Sequence, residues 1–401
     1  MARCSTRNCP TKSIWTPYNC TKLNTVTASQ PISIDLFCRV IDNLGDIGVC
    51  WRLARQLAAQ AEVAQLRLWV DDLHSFTRIQ ADVRCDLQSQ HVQGVQIEHW
   101  HPDRHAYPPP YPFIIEAFAC EPPEPMTRPL NDAEHVWINL DYLSAEPWVQ
   151  GCHGLPSPQA NGAKKYFFFP GFIPQTGGLL READLLTRRD AFQQDDQAYQ
   201  AMLNRLGVAQ EHIQALLKGE MQQMFLFCYP DAPVLTLPEV LSKLEQKTLL
   251  LVPESVALRI PELAQGQLLI QRIPAVDQAD FDALLWRSAL NIVRGEDSLV
   301  RAIWAGQPML WQPYVQEEQA HLDKLQAWLD TGTLPEAAQA LHLAWSSADQ
   351  AGSTAALARC LEPQVLHLWQ QEARAYSAKL AEQADLASSL LSFYTQVARN
   401  R

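Results

Sequence analysis

The chain alternates between two hydrophobic periods. Residues 32–41, ISIDLFCRVI, form a β-rich run, and after the loop DNLGD the segment IGVCWRLARQLAAQ turns to helical spacing, with Cys50, Ala54, Leu57 and Ala61 on one face. Similar short runs follow at LRLWVDD (66–72), VQIEHW, PFIIEAFAC and HVWINLDYL, separated by turn residues or helical stretches. This alternation predicts a mostly parallel sheet with helices on both faces. From Ser144 through GCHGLPSPQANGAKK to PGFIPQTGGLLRE the pattern lapses into a long Gly- and Pro-rich region, read as irregular. Residues 190–220 regain helical spacing, and a second series of strands is expected at 223–230, 247–253, 267–274, 288–295 and 307–314. The tail from Pro363 to Arg401 reads as helix, with Leu366, Trp369, Ala373, Tyr376, Leu380, Ala384, Ala387 and Leu391 spaced to bury one side.

At 401 residues the chain exceeds one comfortable core, so two α/β domains are expected. The boundaries are 31–185, completed by a helical tail at 365–401, and 190–364. Residues 1–30 are polar, lack the apolar stretch of a signal peptide, and read as an irregular extension without function, derived from an upstream start codon. A hydrophobic fraction of 47% rules out global disorder. The formal charge of −12 repels phosphate backbones and anionic membranes, so neither nucleic acid nor membrane is an expected partner. No apolar run approaches the roughly 20 residues that span a bilayer. The 10 cysteines are scattered and show no ligand spacing; the seven from Cys38 onward read as reduced core residues.

Two segments carry candidate chemistry. Asp42-Asn43-Leu44-Gly45-Asp46 sits where the first strand passes into its helix, the corner where open α/β sheets bind ligands. Asp46 as a helix cap and Asp42 as an Asx-turn residue is the competing reading, slightly ahead on position alone. The second segment, Arg294-Gly295-Glu296-Asp297-Ser298, follows a buried strand and opens a helix. Gly295 permits close backbone approach, Asp297 or Ser298 would cap the helix, and its free N–H groups suit a diphosphate. Glu296 is placed to accept from ribose hydroxyls and Arg294 to neutralise a phosphate or pair with an acid; plain capping stands as the equal alternative. Tyr229, at a strand end, is a third candidate for a phosphate contact, though a structural role is more common. The two corners would face each other across a cleft, which resembles a GT-B glycosyltransferase.

The strings DLFCRVIDNLGDIGVCWRLARQLA, VWINLDYLSAEPWVQGCHGLPSPQ, KYFFFPGFIPQTGGLLRE, FCYPDAP, VRGEDSLVRAIWAGQPMLW and HLDKLQAW resemble the bacterial protein-arginine rhamnosyltransferases that modify elongation factor P. The resemblance covers nearly the whole chain from Ile32. It implies a cytoplasmic, metal-independent GT-B enzyme without cofactor. Such an enzyme moves L-rhamnose from dTDP-β-L-rhamnose to one arginine of elongation factor P with inversion, which supports rescue of ribosomes stalled on polyproline. It also implies Asp46 as general base and Asp42 as the residue orienting the acceptor, with Asn43 and Gly45 as loop contacts. Tyr229, Gln278, Arg294, Gly295, Glu296, Asp297 and Ser298 then bind the donor. One departure stands out: Ala275 occupies the position where the family carries an aromatic residue against the thymine, implying weaker donor binding or a substitute from elsewhere in the pocket. A GT-B epimerase or small-acceptor transferase is the alternative enzyme. A catalytically dead binding protein is disfavoured by the intact Asp42, Asp46 and Glu296.

Overall fold

In the computed structural model residues 31–41, 44–260, 263–316 and 319–401 are described. The first part of the chain runs β1 (Ile32–Cys38), α1 (Gly45–Ala58), β2 (Val63–Val70), α2 (Leu73–Thr77), β3 (Ser89–Val92), β4 (Val95–His99), β5 (Phe113–Ala117), α3 (Glu124–Thr127), β6 (Val136–Leu140), α4 (Trp148–Cys152), β7 (Pro156–Pro158) and β8 (Lys164–Phe168). Helices α5 (Leu185–Gln194), α6 (Asp196–Arg205) and α7 (Gln210–Leu217) lead to the second part. It comprises β9 (Met221–Leu226), α8 (Thr236–Leu241), β10 (Lys247–Pro253), β11 (Leu263–Gln265), β12 (Leu268–Ile273), α9 (Gln278–Arg287), β13 (Leu290–Arg294), α10 (Gly295–Ala305) and β14 (Met309–Gln312). Helices α11 (Ala320–Leu329), α12 (Glu336–Ser346), α13 (Gln350–Cys360), α14 (Pro363–Ala381) and α15 (Leu386–Arg399) close the chain.

Two sheets result, in the orders β3-β4-β2-β1-β5-β6-β8-β7 and β11-β12-β10-β9-β13-β14. Both are parallel except at their edges, where β3, β7 and β11 run antiparallel to their neighbours. The doubly wound reading therefore holds. The central strands of β1 and β9 are buried along nearly their whole length, as expected when helices cover both faces. In each sheet the strand order reverses beside the first strand, between β1 and β5 and between β9 and β13. Those reversals open crevices at the carboxyl ends of the strands, which are the binding positions of such sheets.

Two expectations need correction. The region after Ser144 is not irregular throughout: Lys164–Phe168 joins the first sheet beside β6, with Tyr166 and Phe168 packed on Phe393 at centroid distances of 5.5 Å. Flanking prolines masked this strand, and they fall on β7, an edge where a missing N–H costs no ladder bond. The tail is two helices rather than one. Asp385 caps α15 by accepting from the Ser388 N–H at 3.1 Å, and Ala384 is exposed in the break instead of buried. Gly178 fixes that break, because a Cβ there would stand 2.2 Å from the Ala384 carbonyl oxygen. As a result α14 packs on α10, whereas α15 packs on α1 and β6. The extension 1–30 lies outside the described residues.

Candidate functional site

At the first reversal β1 ends at Cys38, earlier than its apolar run, because the next amides leave the ladder for carboxylates. Val40 N–H donates to Asp71 at 2.9 Å and Ile41 N–H to Asp46 at 2.9 Å. Burial raises the Asp71 carboxyl above its ordinary range. Asp46 is not the helix cap, which is Leu44; it lies in the first turn of α1, only 3% exposed. Gly45 is the first residue of α1 and half-buried. Asp42 and Asn43 lie outside the described residues.

The adjoining end of β5 is a feature the sequence did not reveal. Phe118, Ala119 and Glu121 all have left-handed φ values, 56°, 51° and 51°. Such conformations cost non-glycine residues about 1–3 kcal/mol each and collect at binding sites. Their amides are held by the Leu140 carbonyl at 2.7 Å, the Asn139 side chain at 2.9 Å and Glu116 at 3.2 Å. The Phe118 ring consequently stacks on Tyr142, with centroids 4.5 Å apart and planes at 14°. Asp141, which accepts from Asn139 and from the Tyr142 N–H, has its carboxyl pushed up by burial.

At the second reversal Gly295 takes φ 65°, and a Cβ there would lie 3.2 Å from Tyr229 Oη, so the glycine brings the start of α10 against the phenol. The Trp311 indole donates to the Gly295 carbonyl at 2.8 Å. Arg294 pairs with a backbone carbonyl rather than an acid: Nη1 donates to Cys228 O at 3.1 Å. Its guanidinium also lies 4.6 Å and 4.7 Å from the ring centroids of Phe227 and Tyr229. Ser298 bonds the Arg294 backbone through its hydroxyl, so the cap residue itself, Arg294, carries no side-chain cap. Ala275 is exposed. Six residues on, Phe281 of α9 lies edge-on to Phe225 at 5.5 Å and to Phe227 at 5.3 Å.

The acids of this corner do not cap the helix; they reach across to the first domain. Asp297 pairs with Arg52 of α1 at 3.1 Å. Glu296 accepts from the Leu143 N–H at 2.8 Å and from Lys324 at 2.5 Å, so both its carboxylate oxygens are engaged. Gln278, expected on the donor, donates to the Gly48 carbonyl at 3.0 Å and accepts from Arg55 at 2.8 Å. Between the walls lies an opening with about 410 Å³ of empty space, bordered by Val49, Phe118, Asp141, Leu143, Glu296 and Asp297. Among the described residues no group of three or more His, Cys, Asp or Glu side chains is placed to hold a metal ion.

Comparison with known proteins places this arrangement. The family described as "Elongation-Factor P (EF-P) rhamnosyltransferase EarP" matches residues 34–395. A protein-arginine rhamnosyltransferase of Pseudomonas putida is 45% identical over 383 residues, covering 90% of this chain and 98% of the relative. That of Pseudomonas aeruginosa is 42% identical over 384 residues, with the same coverage. Among solved structures, one described as the structural basis for EarP-mediated arginine glycosylation of translation elongation factor EF-P aligns with a TM-score of 0.59 at 32% identity, covering 91% of this chain and 99% of its own. The spinosyn rhamnosyltransferase SpnG aligns over 91% of this chain and 100% of its own with a TM-score of 0.52 at 12% identity, a likeness of fold alone.

Proposed function

Because the chain belongs to the EarP family of protein-arginine rhamnosyltransferases, we propose that it moves L-rhamnose from dTDP-β-L-rhamnose to one arginine of elongation factor P, with inversion. The observation that carries this reading is the pairing of two opposed corners: a buried aspartate at the start of α1, and a left-handed glycine with a helix N-terminus opposite.

A guanidinium has a pKa above roughly 12 and no donor lone pair free for attack, so it needs carboxylates to hold and polarise it. Asp46 supplies one and serves as general base; Asp42, four residues before it, orients the acceptor. The diphosphate sits at the start of α10, where Gly295 lets backbone amides and the Tyr229 hydroxyl approach, and where Arg294 adds positive charge. Glu296 and Asp297 do not repel it, since Lys324 and Arg52 neutralise them. Phe227 and Phe281 provide the aromatic surface for the base that Ala275 lacks. Attack from the wall opposite the leaving diphosphate gives inversion in one displacement, without a covalent enzyme intermediate. Residues of the chain stabilise the leaving group, so the reaction is taken as metal-independent: EDTA is expected to leave the rate unchanged. The setting is the cytoplasm, and the product supports translation through polyproline.

Incubating the protein with elongation factor P and dTDP-rhamnose and weighing the factor by mass spectrometry tests the reading. A gain of one deoxyhexose on arginine supports it. Unmodified factor with dTDP released onto a small acceptor, or with an epimerised donor recovered, would replace it.

A further inference from the structure

The largest buried charge cluster of the molecule lies between the two walls and centres on Arg52. Its side chain is 2% exposed and points from α1 into the second domain. Nη1 and Nη2 grip both oxygens of Asp282 on α9 at 3.1 Å, and Nε meets Asp297 on α10 at 3.1 Å. Nη2 also reaches the Gln278 carbonyl at 3.4 Å. Arg301 of α10 takes the other side of Asp282 at 2.9 Å and 2.6 Å, and bonds Glu182 at 2.7 Å. Burial alone would raise the Glu182 carboxyl, but the Arg301 and Arg52 guanidiniums draw it down to about 2. Burial together with Arg52 lowers the neighbouring Arg55.

Such a cluster is an expensive way to hold two domains together. A well-packed apolar contact of the same volume would often stabilise as well or better. What the guanidinium provides instead is direction. Its planar fork fixes α1 against α9 through two parallel bonds, while Nε–H fixes α1 against α10. Asp46 lies on α1 six residues before Arg52, and Asp297 lies in the first turn of α10, the helix assigned to the diphosphate.

We infer that Arg52 is a positioning residue for glycosyl transfer: it sets the carboxylate of Asp46 in register with the donor helix by clamping Asp282 and Asp297. The inference rests on the transfer reaction proposed above. Misplacing reacting groups by about 1 Å costs on the order of 100-fold in rate. Arg301 provides the control, since its side chain makes a similar buried fork on Asp282 but, among the described residues, has no hydrogen bond or ion pair to α1.

The test is the single-turnover rate constant with saturating dTDP-rhamnose and excess enzyme, measured with thermal unfolding for wild type, Arg52→Gln, Arg52→Lys and Arg301→Gln. While folded enzyme stays saturating and in excess over elongation factor P, a misfolded fraction changes neither the amplitude nor the rate constant of such a trace. The expected result is a rate constant lowered about 100-fold by Arg52→Gln and less by Arg52→Lys, which keeps the charge without the fork. Arg301→Gln is expected to unfold at lower temperature yet stay within about threefold of wild type. If Arg52→Gln gives too little folded protein, Arg52→Lys carries the same comparison. Rate constants near wild type in the Arg52 variants, or an equal loss in Arg301→Gln, would overturn the inference while leaving the function intact. A wild type without turnover would overturn both.

Discussion

The end of β1 leads to a carboxylate in the first turn of a helix, whereas the end of β13 leads to a guanidinium and a left-handed glycine at a helix start. The two strands border their reversals from opposite sides, β1 as the first strand of its sheet and β13 as the neighbour of β9, the first strand of the other. In the proposed reaction the two reversals thus take opposite electrostatic tasks. The first corner builds its shape from side-chain oxygens that accept backbone amides: Asp46 on Ile41, Asp71 on Val40, Asn139 on Ala119. The second sends Asp297 across to Arg52 and Glu296 across to the Leu143 amide, while Lys324 of its own domain takes the other Glu296 oxygen. A carboxylate at a helix start is therefore ambiguous until its partner is known. Asp46 and Asp297 both occupy first turns, yet Asp46 accepts from the Ile41 amide of its own corner while Asp297 pairs with Arg52 of the other domain.

If that division is right, the largest effect belongs to the acceptor wall. Asp46→Asn removes the base but keeps the side chain's size, and transfer to elongation factor P is expected to fall at least ~1000-fold in kcat, within the range of a lost acid–base group. Mass spectrometry of the factor at fixed times reads it. On the donor wall Gly295→Ala places a Cβ 3.2 Å from the Tyr229 hydroxyl at a φ that alanine disfavours. The strain of roughly 1–2 kcal/mol should weaken dTDP about tenfold in a calorimetric titration.

Two smaller effects separate the walls further. His342, buried between Trp328 and Trp369 in the second domain, is held neutral: burial draws its pKa down to about 4. Its unfolded value is near 6.5, so the unfolded chain takes up the proton first. Stability is then complete above pH 6.5 and declines as pH falls toward 4, by about 3 kcal/mol at most. Thermal unfolding across that range should show the decline, and His342→Gln should flatten it. Last, Ala275→Phe is expected to tighten dTDP by less than about tenfold, because stacking is worth roughly 1–3 kcal/mol and Phe227 and Phe281 already supply aromatic surface. Equal affinities would show that position 275 does not reach the base.

Much of this was legible in the sequence, and the part that was not has a physical reason. Runs of apolar residues marked the central strands, and glycine with acids after a strand marked both corners. Directions of side chains were hidden: Glu296, Asp297 and Gln278 carry letters suited to a nucleotide, yet each bonds across the cleft. That depends on how two domains meet, which local pattern does not encode. The strain at Phe118, Ala119 and Glu121 was equally silent, since non-glycine residues in the left-handed region have no letter of their own. Arg52 and Asp282 read as ordinary charges on amphipathic helices, because burial by a neighbouring domain leaves the period of each helix unchanged.

The proposed function puts the acceptor and donor tasks on separate walls. Titrating dTDP into Asp46→Asn tests it most directly. The expected affinity is within about twofold of wild type in a protein that no longer modifies its acceptor, and a tenfold or greater loss of dTDP binding would contradict the separation.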